Sequence, residues 1–117
     1  MDIKIDESAL MAMQDLLGEH FDDTLAFCFS EFSRLHGAFE QALDTEQSDA
    51  IRNIHSLKSN AAQFGAVTLA DTARIIEHGL SQGERQVLQA QIDALPGVIE
   101  QSIVLLKQWQ QQIEINS

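Results

Sequence analysis

The chain is 117 residues long and 44% hydrophobic, with a formal net charge of −11 from eighteen acids against seven bases. That length suits one domain over residues 1–117 with a single hydrophobic core, and the acidity excludes nucleic acid and anionic membrane surfaces, which need clustered Lys or Arg. The single cysteine, Cys28, excludes an internal disulfide and, within LAFCF, is expected to be buried packing.

No apolar run exceeds five residues, far short of the roughly 20 that a spanning helix needs. The acidic start, MDIKIDESALMAM, does not read as a signal peptide. The expectation is a cytoplasmic monomer.

Helical periodicity runs through the whole chain. A first short helix is predicted over residues 7–17, with Asp6 as N-cap and Gly18 as its stop. A second covers residues 21–43, where Phe21, Leu25, Cys28, Phe32, Leu35, Phe39 and Ala42 recur at three- and four-residue steps as one buried stripe. Phe27 falls about 130° from that stripe at about 100° per residue. It packs under the first helix or meets a partner. After the polar DTEQSD, a third helix is predicted over residues 48–64, ended by Gly65 in a left-handed cap. Thr68 and Asp71 suggest a capping box for a fourth helix carrying Leu69, Ala73, Ile76 and Leu80. The last helix keeps an apolar face from Leu88 to Ile113. Pro96 interrupts it. The stripe keeps its phase, which favours a kink, with a turn at Pro96–Gly97 as the alternative. No segment alternates with period two. These elements predict an all-α fold, an antiparallel four-helix bundle with a short additional N-terminal helix.

The chemistry concentrates in NIHSLKSNAAQFGA, residues 53–66. On a helix, Ala50, Ile54, Leu57, Ala61 and Phe64 gather on one side. His55 lies roughly 100° or more from their centre and is expected to face solvent. Its neighbours at three and four residues are Ile51, Arg52, Lys58 and Ser59, with Ala62 one turn further. Small side chains on the C-terminal side clear an approach to the imidazole. Residues 50–70 contain no Asp or Glu, where eighteen acids in 117 residues would place about three. Arg52 and Lys58 therefore suggest a local positive island suited to a phosphoryl group on His55. Neutral imidazole is a nucleophile at cytoplasmic pH, and Lys58 would disfavour imidazolium and stabilise the transferred group. The bland alternative is a solvated surface histidine. His20, His36 and His78 have no ligand spacing, and no metal site is expected.

Residues 55–77, HSLKSNAAQFGAVTLADTARIIE, strongly resemble the histidine-containing phosphotransfer (HPt) family. Its pattern is H-x-L-K, a small residue, a variable segment, an apolar residue, G-A and then L-A. His55, Leu57, Lys58, Phe64, Gly65, Ala66, Leu69, Ala70 and Ala73 fit it. The closest flavour is the free-standing quorum-sensing phosphorelay proteins, which also read H-x-L-K-S. The resemblance implies a four-helix bundle with an extra N-terminal helix. It implies that His55 accepts a phosphoryl group from the receiver domain of a hybrid sensor histidine kinase and passes it to the aspartate of a response regulator. Lys58 would neutralise charge, and Ser59, where glycine is commonest, would leave room for the partner. Arg52, Ala62 and Gln63 are candidate partner contacts, Gln63 with a solvated side chain as its alternative. The family needs no cofactor or ATP site, and its Mg²⁺ belongs to the receiver. Two other classes fit the residues less well. A pure interaction module would have no need of His55 and Lys58. A kinase dimerisation fragment normally carries an acid after its histidine and a proline a few positions later, where this chain has Ser56 and the segment that follows has no proline.

Overall fold

The computed structural model describes residues 2–116. Five helices follow in order: α1 (Glu7–Leu17), α2 (Phe21–Leu43), α3 (Gln47–Gln63), α4 (Val67–Ser81) and α5 (Gln89–Asn116). Single 3-10 turns, Gly18–His20 and Arg85–Leu88, precede α2 and α5. There is no strand among the described residues. Helices α2 to α5 form the bundle: α2 packs on α3, α3 on α4, α4 on α5, and α5 returns to α2. The 28-residue α5 is about 42 Å long at 1.5 Å per residue and runs most of the 48 Å long axis.

The elements begin and end for local reasons. Asp6 caps α1, its Oδ1 accepting from the backbone N–H of Ser8 at 2.9 Å and Ala9 at 3.3 Å. Gly18 ends α1 at φ +54°. At the end of α3 the Ala66 N–H reaches the Ala61 carbonyl at 2.8 Å, and the Gly65 N–H reaches the Ala62 carbonyl at 3.2 Å. These two bonds make a Schellman turn. It needs a left-handed residue, and Gly65 supplies it at φ +73°. Gly65 is doubly constrained, because a Cβ there would lie 2.5 Å from the Asp6 carbonyl oxygen. The Asp6 N–H in turn donates to the Gly65 carbonyl at 2.7 Å. One turn thus ends α3 and fastens the N-terminal segment.

The stripe predicted for α2 is the one buried: Phe21, Leu25, Cys28, Phe32, Leu35 and Phe39. Fully burying a Phe or Leu side chain contributes about 1.5–3 kcal/mol, so the stripes fix each helix's rotation. Phe21 meets Trp109 edge-on at 5.9 Å and Phe64 at 6.5 Å. That joins the start of α2 to the ends of α3 and α5. Burial, and then the Glu31 carboxylate, push the Cys28 thiol up to about 12, so it packs as a small apolar side chain.

Two expectations change. Phe27 does not pack under α1: it is 64% exposed, and α1 instead buries Leu10. Thr68 caps nothing. Helix α4 starts at Val67 with no side-chain cap, and the Thr68 hydroxyl accepts from the Lys4 N–H at 2.8 Å. Pairing with a segment 64 residues away claimed that oxygen, which local spacing does not reveal. At Pro96 the favoured reading holds: α5 runs on through the proline as one helix, and the alternative turn does not form. Ile92, Leu95, Val98 and Ile99 are all buried around it, and their burial outweighs the roughly 3 kcal/mol cost of a helix-interior proline.

Gly65 and Gly83 share φ +73°, but nothing lies within 4 Å of a Cβ at Gly83. Gly83→Ala is expected to cost about 1 kcal/mol. Gly65→Ala is expected to cost on the order of 3 kcal/mol because the Asp6 backbone must also move. Urea denaturation of the two variants checks the difference.

Candidate functional site

Four residues hold α3 in place. Ala50, Ile54, Leu57 and Ala61 are fully buried, so the opposite face is delivered to solvent. His55 stands there with its side chain 57% exposed. Arg52, Ser59, Ala62 and Gln63 are exposed on the same outer side. Lys58 lies at the seam with α4, 28% exposed.

The seam brings in a residue that the sequence reading missed. On α4, Ile76 is buried in the core. The next residue, Glu77, is turned about 100° round, into the junction with α3. Its Oε2 lies 2.5 Å from His55 Nδ1 and its Oε1 accepts from Lys58 Nζ at 2.5 Å. One carboxylate therefore spans the histidine and the lysine. Glu77 is only 19% exposed. Burial pushes its carboxyl up, but hydrogen bonds from Lys58 and His55, with their charge, outweigh that and hold it below its ordinary value. A sequence signal for Glu77 existed, since it follows the core stripe residue Ile76, but its target was 22 residues away on another helix.

The positive island is corrected accordingly. No acid lies in residues 50–70, yet Glu77 enters from α4. Arg52 does not lean toward His55; its guanidinium is paired with Asp49, three residues back. An acid just outside the run claims it, as i, i+3 geometry permits. The site is a neutralised His–Glu–Lys group rather than a bare cationic patch.

The geometry dictates a tautomer. An ionised carboxylate can only accept, so the His55 Nδ1 facing Glu77 carries a proton. In the neutral ring, Nε2 then holds the free lone pair. An exposed imidazole with Nδ1 anchored presents a nucleophilic nitrogen of defined direction.

A family model described as Hpt domain matches residues 23–114. The chain belongs to the Hpt domain family. Hpt domains are phosphorelay intermediates of two-component signalling; they exchange phosphoryl groups with receiver and response-regulator domains and have no kinase or ATP site of their own. The fold agrees. The crystal structure of histidine-containing phosphotransfer protein B (HptB) from Pseudomonas aeruginosa PAO1 matches with a TM-score of 0.84 and 22% identity, over 92% of this chain and 95% of that one. At that identity the likeness establishes the Hpt architecture. A comparison with curated protein sequences finds no match. No helix among the described residues is long and apolar enough to cross a membrane.

The depressed Glu77 carboxyl gives a pH signature. Its stabilisation is fully present above the unfolded value of about 4.3 and is lost as pH falls through the lower folded value. As pH falls below the ordinary glutamate range, wild type is therefore expected to lose stability that a Glu77→Gln variant never had. Denaturant titrations at stepped pH check this.

Proposed function

We propose that His55 is the phosphoryl acceptor of this Hpt domain and that Nε2 is the reacting atom. The observation that carries the reading is the anchoring of Nδ1 by Glu77 at 2.5 Å on a histidine otherwise open to solvent. In the forward step the Nε2 lone pair forms a bond to the phosphorus of an aspartyl phosphate. The P–O bond to the receiver's aspartate breaks and its electron pair stays on that carboxylate. Nδ1 keeps its proton, and the Glu77 carboxylate offsets the positive charge that the phosphorylated ring acquires. Donation to a response regulator reverses these changes, and the ring leaves as neutral imidazole. No proton need be exchanged with solvent at either step.

The surrounding residues have supporting roles in this reading. Lys58 moves its ammonium from Glu77 to the arriving phosphoryl oxygens, a short swing for a four-carbon stem. Ser59 and Ala62, both exposed and small, leave room for the partner's surface. Gln63 and the exposed apolar residues Phe27, Leu16 and Met11 extend the contact area toward α1 and α2. The partners are the receiver domain of a hybrid sensor kinase and a cytoplasmic response regulator, and the receiver brings the Mg²⁺ for its own aspartate.

Incubation with a phosphorylated receiver is expected to label wild type with an acid-labile, base-stable phosphoryl group and to leave His55→Gln unlabelled. Equal labelling of His55→Gln would sink the assignment. Glu77→Leu is expected to slow transfer on the order of 10–100-fold, because the ring loses its fixed orientation. Glu77→Gln keeps an acceptor for Nδ1–H and is expected to retain more. The ¹⁵N shifts of His55 should report one tautomer in wild type and a mixture in Glu77→Leu.

A further inference from the structure

The sequence pattern acid-x-x-Arg occurs once on each of three neighbouring helices: Glu31 and Arg34 on α2, Asp49 and Arg52 on α3, Asp71 and Arg74 on α4. Each is an ion pair at i, i+3. All three arginine side chains are well exposed, at 63%, 72% and 63%. None reaches His55, so none belongs to the acceptor group described above.

Their placement around His55 is not scattered. Arg52 is three residues before His55 on α3, about 4.5 Å along the axis. Arg74 is three residues before Glu77, whose carboxylate touches His55. Arg34 is one turn before Ala38, which lines a shallow groove with Arg52 and Asn53. Neighbouring helices sit about 8–10 Å apart. A protein docked over His55 would cover about 800 Å² per partner, a disc of roughly 16 Å radius. Arg52 on α3 itself, and Arg34 and Arg74 on the two helices packed against α3, each lie on a helix within one helix spacing of the one that carries His55.

The charge balance is equally uneven. Three arginines and Lys58 face four carboxylate partners, Glu31, Asp49, Asp71 and Glu77, and these cancel. Taking four from seven bases and four from eighteen acids leaves three bases against fourteen acids, so the whole −11 lies on the rest of the chain. The other bases are placed elsewhere: Lys107 lies over the Phe29 ring, Arg85 faces Asp44, and Lys4 is in the N-terminal segment. An acidic partner meets less repulsion over these four pairs than over a remainder that carries all of the net charge.

We infer that Arg34, Arg52 and Arg74 form an electrostatic docking ring for the acidic, metal-holding rim of a receiver domain. The inference rests on the proposed phosphorelay role. A receiver that holds Mg²⁺ beside its aspartate must present several carboxylates there, which an otherwise acidic chain would repel. Each arginine rests in an exposed i, i+3 ion pair whose acid the receiver's carboxylates would displace. Exposed ion pairs of this kind are weak and exchange partners readily. Arg74 is the most available, since its contact with Asp71 is 4.0 Å. Arg34 is the least, since Glu31 holds it with two bonds of 3.0 and 2.7 Å.

The test uses the full chain and whichever host receiver transfers fastest to wild type, followed by rapid quench from about 0.01 M to about 0.5 M salt. The triple variant Arg34→Gln, Arg52→Gln, Arg74→Gln is expected to lower the second-order rate about tenfold or more at low salt and to flatten its salt dependence. Arg74→Gln alone should account for the largest share. Removing the acids, in Glu31→Gln, Asp49→Asn, Asp71→Asn, is expected to raise the rate. Uptake from phosphoramidate, a small donor that needs no docking, should be unchanged in both variants. The ring is overturned by a triple arginine variant with wild-type rate and salt slope, by slower transfer in the acid variant, or by loss of phosphoramidate uptake. Failure of wild type to accept label at His55 from any donor would instead overturn the phosphorelay role itself, and the ring with it.

Discussion

The rotation of α3 about its own axis is the constraint on which the site depends. Ala50, Ile54, Leu57 and Ala61 are fully buried, and two of them are alanines that let α2 and α4 approach on either side. A turn of a third of a revolution would bury His55 and expose the core. The Schellman turn at Phe64–Gly65 fixes where that helix stops, and the Asp6 backbone packed against Gly65 fixes the turn. A single glycine thus sets the axial position of the histidine relative to α4.

Once α3 and α4 are in register, Glu77 meets His55 and Lys58 together. The carboxylate has two consequences that pull in the same direction. It fixes the Nδ1–H tautomer and so leaves the free lone pair on Nε2. It also holds the lysine ammonium on the carboxylate that touches the ring. An acid beside the proposed phosphoryl acceptor looks unfavourable until the charges are counted: the proton on Nδ1 and the ammonium of Lys58 both lie against it. Its depressed titration expresses that balance.

Much of the candidate site was legible because helical geometry is local. The exposure of His55, Arg52, Ser59, Ala62 and Gln63 follows from about 100° per residue and from the positions of Ile54, Leu57 and Ala61. The cap at Asp6 and the left-handed Gly65 were readable because each satisfies backbone groups within a few residues. Glu77 was not, because the contact joins residues 22 apart, and an acid-free run in sequence is no guarantee of an acid-free volume. Phe27 was misplaced for a related reason: periodicity says which way a side chain leaves its own helix, not whether another helix arrives to cover it.

The amino-acid sequence by itself determined the helices, their buried stripes and the outward direction of His55. These depend on backbone hydrogen bonds and on side chains spaced three and four residues apart. Tertiary structure decided what stands beside that histidine. It turned Arg52 back to Asp49, brought Glu77 across the α3–α4 seam and packed α2 and α4, with Arg34 and Arg74, against the helix that carries His55. Hydrophobic burial is non-directional, so it drives association of the stripes without specifying polar neighbours at their edges. Those neighbours are fixed only when the packed cores bring the helices into one register.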